Sequence, residues 1–292
     1  MFKKRTLLGL IMLLLLLLTS CEGNNKDSKS TDGSKGNSGS TAKTGKVLEP
    51  TEKKENFARP KLSKMLDIIY DFEGGLLKDN DGTTNYGVLE ENWIKYIKDK
   101  QLVYKDVHTI TKEDASGYYE YYWKGEDLFK RKDDKNLYPY MTYPLALVVF
   151  DTKVLDGYGS KLEEKNGAFE MLQKVLNDEG YSKDVLGKPL DEDGDFHNDS
   201  MKVLKLVPIK EHLHIAKEIL NERDIFHCVQ SKSSKYNDTN NPIEGWLERV
   251  ETLRKLISGI DIQTGKFTYV GKEDKFKNLQ QAKSYCKDLL KQ

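Results

Sequence analysis

The stretch PKLSKMLDIIYDFEGGLLKDNDGTTNYGV, residues 60–88, runs a helical pattern into a polar window. Leu62, Met65, Leu66, Ile69 and Phe72 recur at the spacing of one helix face. Pro60 stands near the first turn, where its missing N–H is tolerated, and Gly74-Gly75 end the helix. Glu73 is then the last helical residue, and its side chain projects where the chain breaks away. Asp79, Asp81, Thr83, Thr84, Asn85 and Tyr86-Gly87 follow on a loop or hairpin. Glycoside hydrolysis needs a carboxylic acid to protonate the leaving oxygen. It also needs a second group, usually a carboxylate, to stabilise positive charge or activate water. The acid must keep its proton near neutral pH, which burial beside apolar groups such as Phe72 promotes. Composition alone favours a plainer reading: a surface glutamate before a helix stop, then a polar turn.

Outward from this window the chain reads as mainly α. VLEENWIKYIKDKQL is a second helix, and TKEDASGYYEYYW opens on Thr111 and Asp114 as a capping-box-like start. YPLALVVFDTKVL is the most apolar segment after the N-terminus and is expected to be buried. GAFEMLQKVLNDEG, KEHLHIAKEILNERDIFHCVQSK and NPIEGWLERVETLRKLISG are amphipathic helices, the last with Ile243, Leu247, Val250, Leu253 and Leu256 on one stripe. KFTYVG suggests a short strand, and the segment from Phe276 a final helix. The expected organisation is a lobe at 58–150, a helical lobe at 151–259 and a C-terminal extension at 260–292.

The N-terminus reads as an address. Lys3, Lys4 and Arg5 precede the apolar run Leu7 to Leu18, which suits a signal peptide (residues 1–20) and is short for a membrane-spanning helix. LTSC resembles the lipobox of bacterial lipoproteins, which implies cleavage before Cys21 and lipid attachment to that cysteine. Residues 21–57 then form a disordered tether of Gly, Ser, Asn, Lys and Thr, unable to bury a core. As a coil it reaches about 30 Å, and roughly 115 Å if stretched. The expected location is the cell envelope, with the membrane engaged through the lipid. Losing Lys3, Lys4 and Arg5 with the leader takes the 47 basic residues to 44, against 47 acidic ones. That balance gives no basic face for nucleic acid. Cys228 and Cys286 are the cysteines beyond Cys21. Outside the cytosol they form either one disulfide or two buried thiols.

The order of residues carries further. EGG, aspartates, then GTTNYGV resemble the opening of glycoside hydrolase family 108, lysozyme-like N-acetylmuramidases. ITKEDASGYYEYYW, LALVVFDTKVLDGYG, AFEMLQKVLN with DEDGDF, RDIFHCVQ and GWLERV resemble later blocks of that family, in family order over roughly residues 60 to 255. The resemblance implies a lysozyme-like helical lobe, a peptidoglycan-binding-like C-terminal lobe, a peptidoglycan substrate and no cofactor. It makes Glu73 the catalytic acid, with Asp81 assisting and Thr84 positioning the nucleophile. Asp79 and Tyr86 become substrate contacts. The chain departs from the pattern twice. Its loop between Glu73 and Thr84 is about three residues short, and Leu155 stands where the family has Asn. These departures favour the alternative, an envelope lipoprotein that binds peptidoglycan without cleaving it.

Other features point to less. The tyrosines of YYEYYW are expected mostly in the core or at its rim. In DEDGDFHND (Asp191 to Asp199) the glycine and glutamate of a calcium loop are out of register, and His212 and His214 lie on different helix faces. No metal is expected.

Overall fold

The computed structural model describes residues 57–79, 82–124, 137–156, 167–231, 243–269, 271, 275–276 and 279–291. The expected signal peptide, Cys21, nearly all of the expected tether and Asp81 lie outside the described residues.

The fold is mainly α, as the periodicity predicts. In order come α1 (Leu62–Glu73), β1 (Leu77–Asp79), β2 (Gly82–Asn85), β3 (Val88–Leu89), α2 (Glu90–Asp99) and α3 (Lys112–Trp123). Then follow α4 (Tyr143–Asp156), α5 (Ala168–Asp178), α6 (Tyr181–Leu186), α7 (Asn198–Leu206), α8 (His212–Gln230), α9 (Ile243–Ser258) and α10 (Leu279–Leu289). The capping box at Thr111 is formed: the Asp114 carboxylate accepts from Thr111 N at 2.7 Å, and Thr111 Oγ1 accepts from Asp114 N at 3.3 Å. Among the described residues no helix is long and apolar enough to cross a membrane.

α4 is the centre. Its residues from Tyr143 to Lys153 are all buried, and it packs against α5, α8 and α9. An apolar helix this enclosed must answer for its polar groups. Lys153 does so by donating to the Tyr122 carbonyl at 2.6 Å, over the Tyr122 ring. One apolar core runs from Met65 on α1 through Tyr119, Phe150 and Leu220 to Ile260. The boundary expected after residue 150 falls inside α4. A smaller cluster of Ile243, Leu247, Phe276, Ala282 and the bonded pair Cys228–Cys286 seats α10 on α8 and α9.

One element settles the loop-or-hairpin alternative, and one corrects the sequence reading. The stretch after Glu73 is an antiparallel three-stranded sheet, with Leu77 opposite Thr84, Asp79 opposite Gly82 and Asn85 opposite Val88. KFTYVG, residues 266–271, is expected as a strand, and its described residues, 266–269 and 271, form none. There the Asp261 carboxylate accepts from Gln263 N and Thr264 N and closes a turn. The chain beyond runs out along side chains, with Phe267 against Tyr143 and Tyr269 against Phe72. It has no ladder partner among the described residues. The short helices α6 and α7 were not read, because six and nine residues offer too little periodicity.

Candidate functional site

Glu73 closes α1, and Gly74 breaks the helix with φ +71°. The hairpin then returns to it. Tyr86 and Gly87 form a two-residue turn between the paired Asn85 and Val88, with φ +52° and +76°. Positive φ at both positions is the type I′ geometry that suits twisted strands. Tyr119 Oη on α3 donates to the Tyr86 carbonyl at 2.9 Å, and the Tyr86 ring meets Tyr70 edge-on. Gly87 lies directly on the glutamate. A Cβ there would stand 2.4 Å from Glu73 Cγ and 2.6 Å from Tyr119 Oη. Glycine is required at this place twice over, by conformation and by space.

Behind Glu73 lies a chain of buried charge. Arg249 on α9 donates from Nη1 to Glu73 Oε1 at 2.6 Å. The same guanidinium donates from Nη2 to Asp151 Oδ1 at 2.8 Å and from Nε to both Asp151 oxygens at 3.1 Å. Asp151 Oδ2 also accepts from Arg223 Nη1 on α8 at 2.7 Å, and Arg223 Nε donates to Asp156 at 3.0 Å. The side chains of Asp151 and Arg223 are fully buried, while Glu73 keeps 16% exposure. With every member ionised, three carboxylates face two guanidiniums. Burial works against charge throughout. At Asp151 it is overcome by Arg249 and then Arg223, which hold the carboxyl below its usual range. At Asp156 burial prevails over Arg223 and pushes the group up to about 6. Burial also tends to lower Arg249, but Asp151 and then Glu73 raise it above its ordinary value. His227, 4.0 Å from Asp156, is depressed well below its usual value by burial, then by Arg223 and Arg249.

The structure brings Glu73 together with the Tyr86–Gly87 turn. Thr84 lies on β2 between Thr83 and Asn85, which are buried, so its side chain takes the opposite face of the sheet. No hydrogen bond joins Thr84 to Glu73 among the described residues. Asp79 ends β1, and Asp81 lies outside the described residues. Sequence reading missed Asp151, Arg223 and Arg249 as site residues. A signal existed. Asp151 is the one acid inside LALVVFDTKVL, and a carboxylate in so apolar a run must be paired.

Two surface clefts lie elsewhere. One, of 660 Å³, is lined by Lys64, Asp67, Lys266 and Tyr269, and one of 460 Å³ lies beside the disulfide with Lys283 and Lys287. Neither is lined by Glu73. Asp193, Asp195 and His197 bring three ligand-type atoms within 4.8 Å of one another. Gln173 already ties that turn together: its amide accepts from Asp193 N and Gly194 N and donates to the Asp195 carbonyl.

A solved structure titled "Structure of Brucella abortus SagA" is similar to this chain, at 19% sequence identity and a TM-score of 0.42, over 66% of this chain and 91% of that one. No family model matches the sequence, and no curated protein matches it. The likeness to glycoside hydrolase family 108 therefore rests on the sequence blocks.

Proposed function

We propose that the protein is a lysozyme-type glycoside hydrolase. It cleaves the β-1,4 bond between N-acetylmuramic acid and N-acetylglucosamine in peptidoglycan, and it is anchored to the cell envelope through a lipid on Cys21 for wall remodelling. The observation that carries this reading is the setting of Glu73. Its carboxyl sits at a helix end, is bonded through Oε1 to Arg249, and its side chain rests against the hairpin turn. Oε2 has no hydrogen-bond partner among the described residues and is the oxygen that delivers the proton. Three of the sequence blocks supply Asp151, Arg223 and Arg249, and all three converge behind this one glutamate. Thr84 positions the water, Asp81 or Asp79 assists, and Tyr86 contacts a sugar ring. The test is muropeptide release from purified peptidoglycan by the parent protein and by Glu73→Gln, which keeps the shape but has no proton to give. New reducing ends at N-acetylmuramic acid are expected from the parent alone.

The same ion pair favours a second reading. A carboxylate paired with a guanidinium at 2.6 Å is also the arrangement of a purely structural ion pair. The chain then binds peptidoglycan without cutting it. Co-sedimentation with the wall by both proteins, with no fragments from either, selects this reading.

A further inference from the structure

The arginine beside Glu73 poses a physical problem for a proton donor. Its guanidinium occupies Oε1, one of the two oxygens that could carry the proton. Yet Arg249 does not belong to Glu73 alone. Its fork is divided, with Nε and Nη2 on Asp151 and only Nη1 on Glu73. Asp151 is itself immobilised from its other side by Arg223, which Asp156 holds in turn.

We infer that Asp151 is a positioning residue for Glu73: it grips Arg249 by two nitrogens, aims the third at Oε1, and divides the guanidinium between the two carboxyl groups. The inference deepens the hydrolase reading and rests on it for its catalytic consequence. The positioning itself is a property of the fold.

Among the described residues few other charges reach Glu73. From α3 comes the Tyr119 phenol. Burial, then the charge of Glu73, raises it well above its ordinary value, so it stays neutral and donates to Tyr86. From α9 comes Arg249, with Asp151 of α4 behind it. The hairpin presents the uncharged Tyr86–Gly87 turn. On α1 itself, Asp71 is engaged by Tyr269 from the C-terminal segment, and Tyr70 donates to the Lys112 carbonyl on α3. Arg249 is thus the cation bonded to Glu73, and Asp151 is the group that divides it.

The division predicts shifts of opposite sign. Asp151→Asn keeps an acceptor for Arg249 but removes the competing charge, so the Glu73 titration midpoint falls by about one pH unit. Arg249→Lys offers one compact ammonium where a fork stood. Drawn to the fully buried Asp151, it leaves Glu73, whose midpoint rises by about one unit. The measurement is a carbon-13 titration of labelled glutamate side chains, with Glu73 assigned by the signal lost in Glu73→Gln and folding checked by circular dichroism. Opposite shifts support the inference, and an unmoved midpoint in both variants overturns it. If Asp151→Asn does not fold, Arg249→Lys decides alone: a raised midpoint supports the inference, and an unchanged one overturns it. Muropeptide release is followed against pH in the same proteins. If its basic limb moves with the midpoint, the positioning and hydrolase readings stand together. If the midpoint moves while the parent releases nothing, the positioning role holds and the hydrolase reading falls.

Discussion

Replacing Gly87 by alanine tests the packing of the site without substituting a charged group. The added methyl meets two separate costs. The first is conformational: φ at this residue is +76°, and a Cβ in the left-handed region costs about 1–2 kcal/mol. The second is steric. The methyl would lie 2.4 Å from Glu73 Cγ and 2.6 Å from Tyr119 Oη, so both side chains must move, and overpacking of this kind costs about 1–3 kcal/mol. The sum is about 2–5 kcal/mol. Gly187 separates the two costs. Its φ is +73°, nearly the same, but a Cβ there meets nothing within 4 Å. Gly187→Ala is therefore expected to lose only the conformational part. Urea denaturation, compared at equal m-values, reads the difference directly. Gly87→Ala should be the less stable by about 1–3 kcal/mol. On the hydrolase reading, its muropeptide release should fall by more than its folded fraction, because a displacement of about 1 Å at a reacting group can cost about 100-fold. Equal losses in the two variants would refute the close packing of Gly87 on Glu73.

The remaining expectations concern stability. The Cys228–Cys286 bond closes a loop of sequence separation 58, for which chain entropy gives about 4 kcal/mol as an upper figure. Cys286→Ser, or reduction, should lower the urea midpoint by a fraction of that and free α10 first, read as amide exchange confined to residues near α10. Two buried groups pull stability in opposite directions with pH. Burial depresses His212 from 6.5 to about 4, so its contribution is complete above pH 6.5 and lost as pH falls through 4, about 3 kcal/mol in all. Asp156 is raised from 3.8 to about 6, so its contribution is complete below pH 3.8 and lost as pH rises through 6. Between pH 4 and 6 the two offset each other. His212→Gln should therefore show stability falling as pH rises across that window and Asp156→Asn the reverse, by thermal melts; parallel profiles would contradict both assignments.

Much of the helical framework was legible in the sequence, because amphipathic periodicity is a local property. α1 ends at Glu73 because Gly74-Gly75 follow it, and α3 starts just after Thr111 because Thr111 and Asp114 satisfy each other's backbone. The placing of a glutamate at a helix end beside a glycine-rich window was likewise written locally. The hairpin was half legible: its Tyr-Gly turn stood in plain view, but strands of three, four and two residues carry too little alternation to declare themselves. What sequence pattern alone did not reach is what Glu73 touches. Arg249 lies 176 residues from Glu73, and Asp151 lies 98 residues from Arg249. A sequence motif records which residues stand near one another along the chain. A buried charge is decided by which helices the apolar core draws together. Asp151 in its apolar run announced that some cation must meet it, since an unpaired carboxylate is not tolerated there. Only the packing of α4 against α8 and α9 decided that two arginines answer, and that one of them reaches past Asp151 to hold the glutamate at the end of α1.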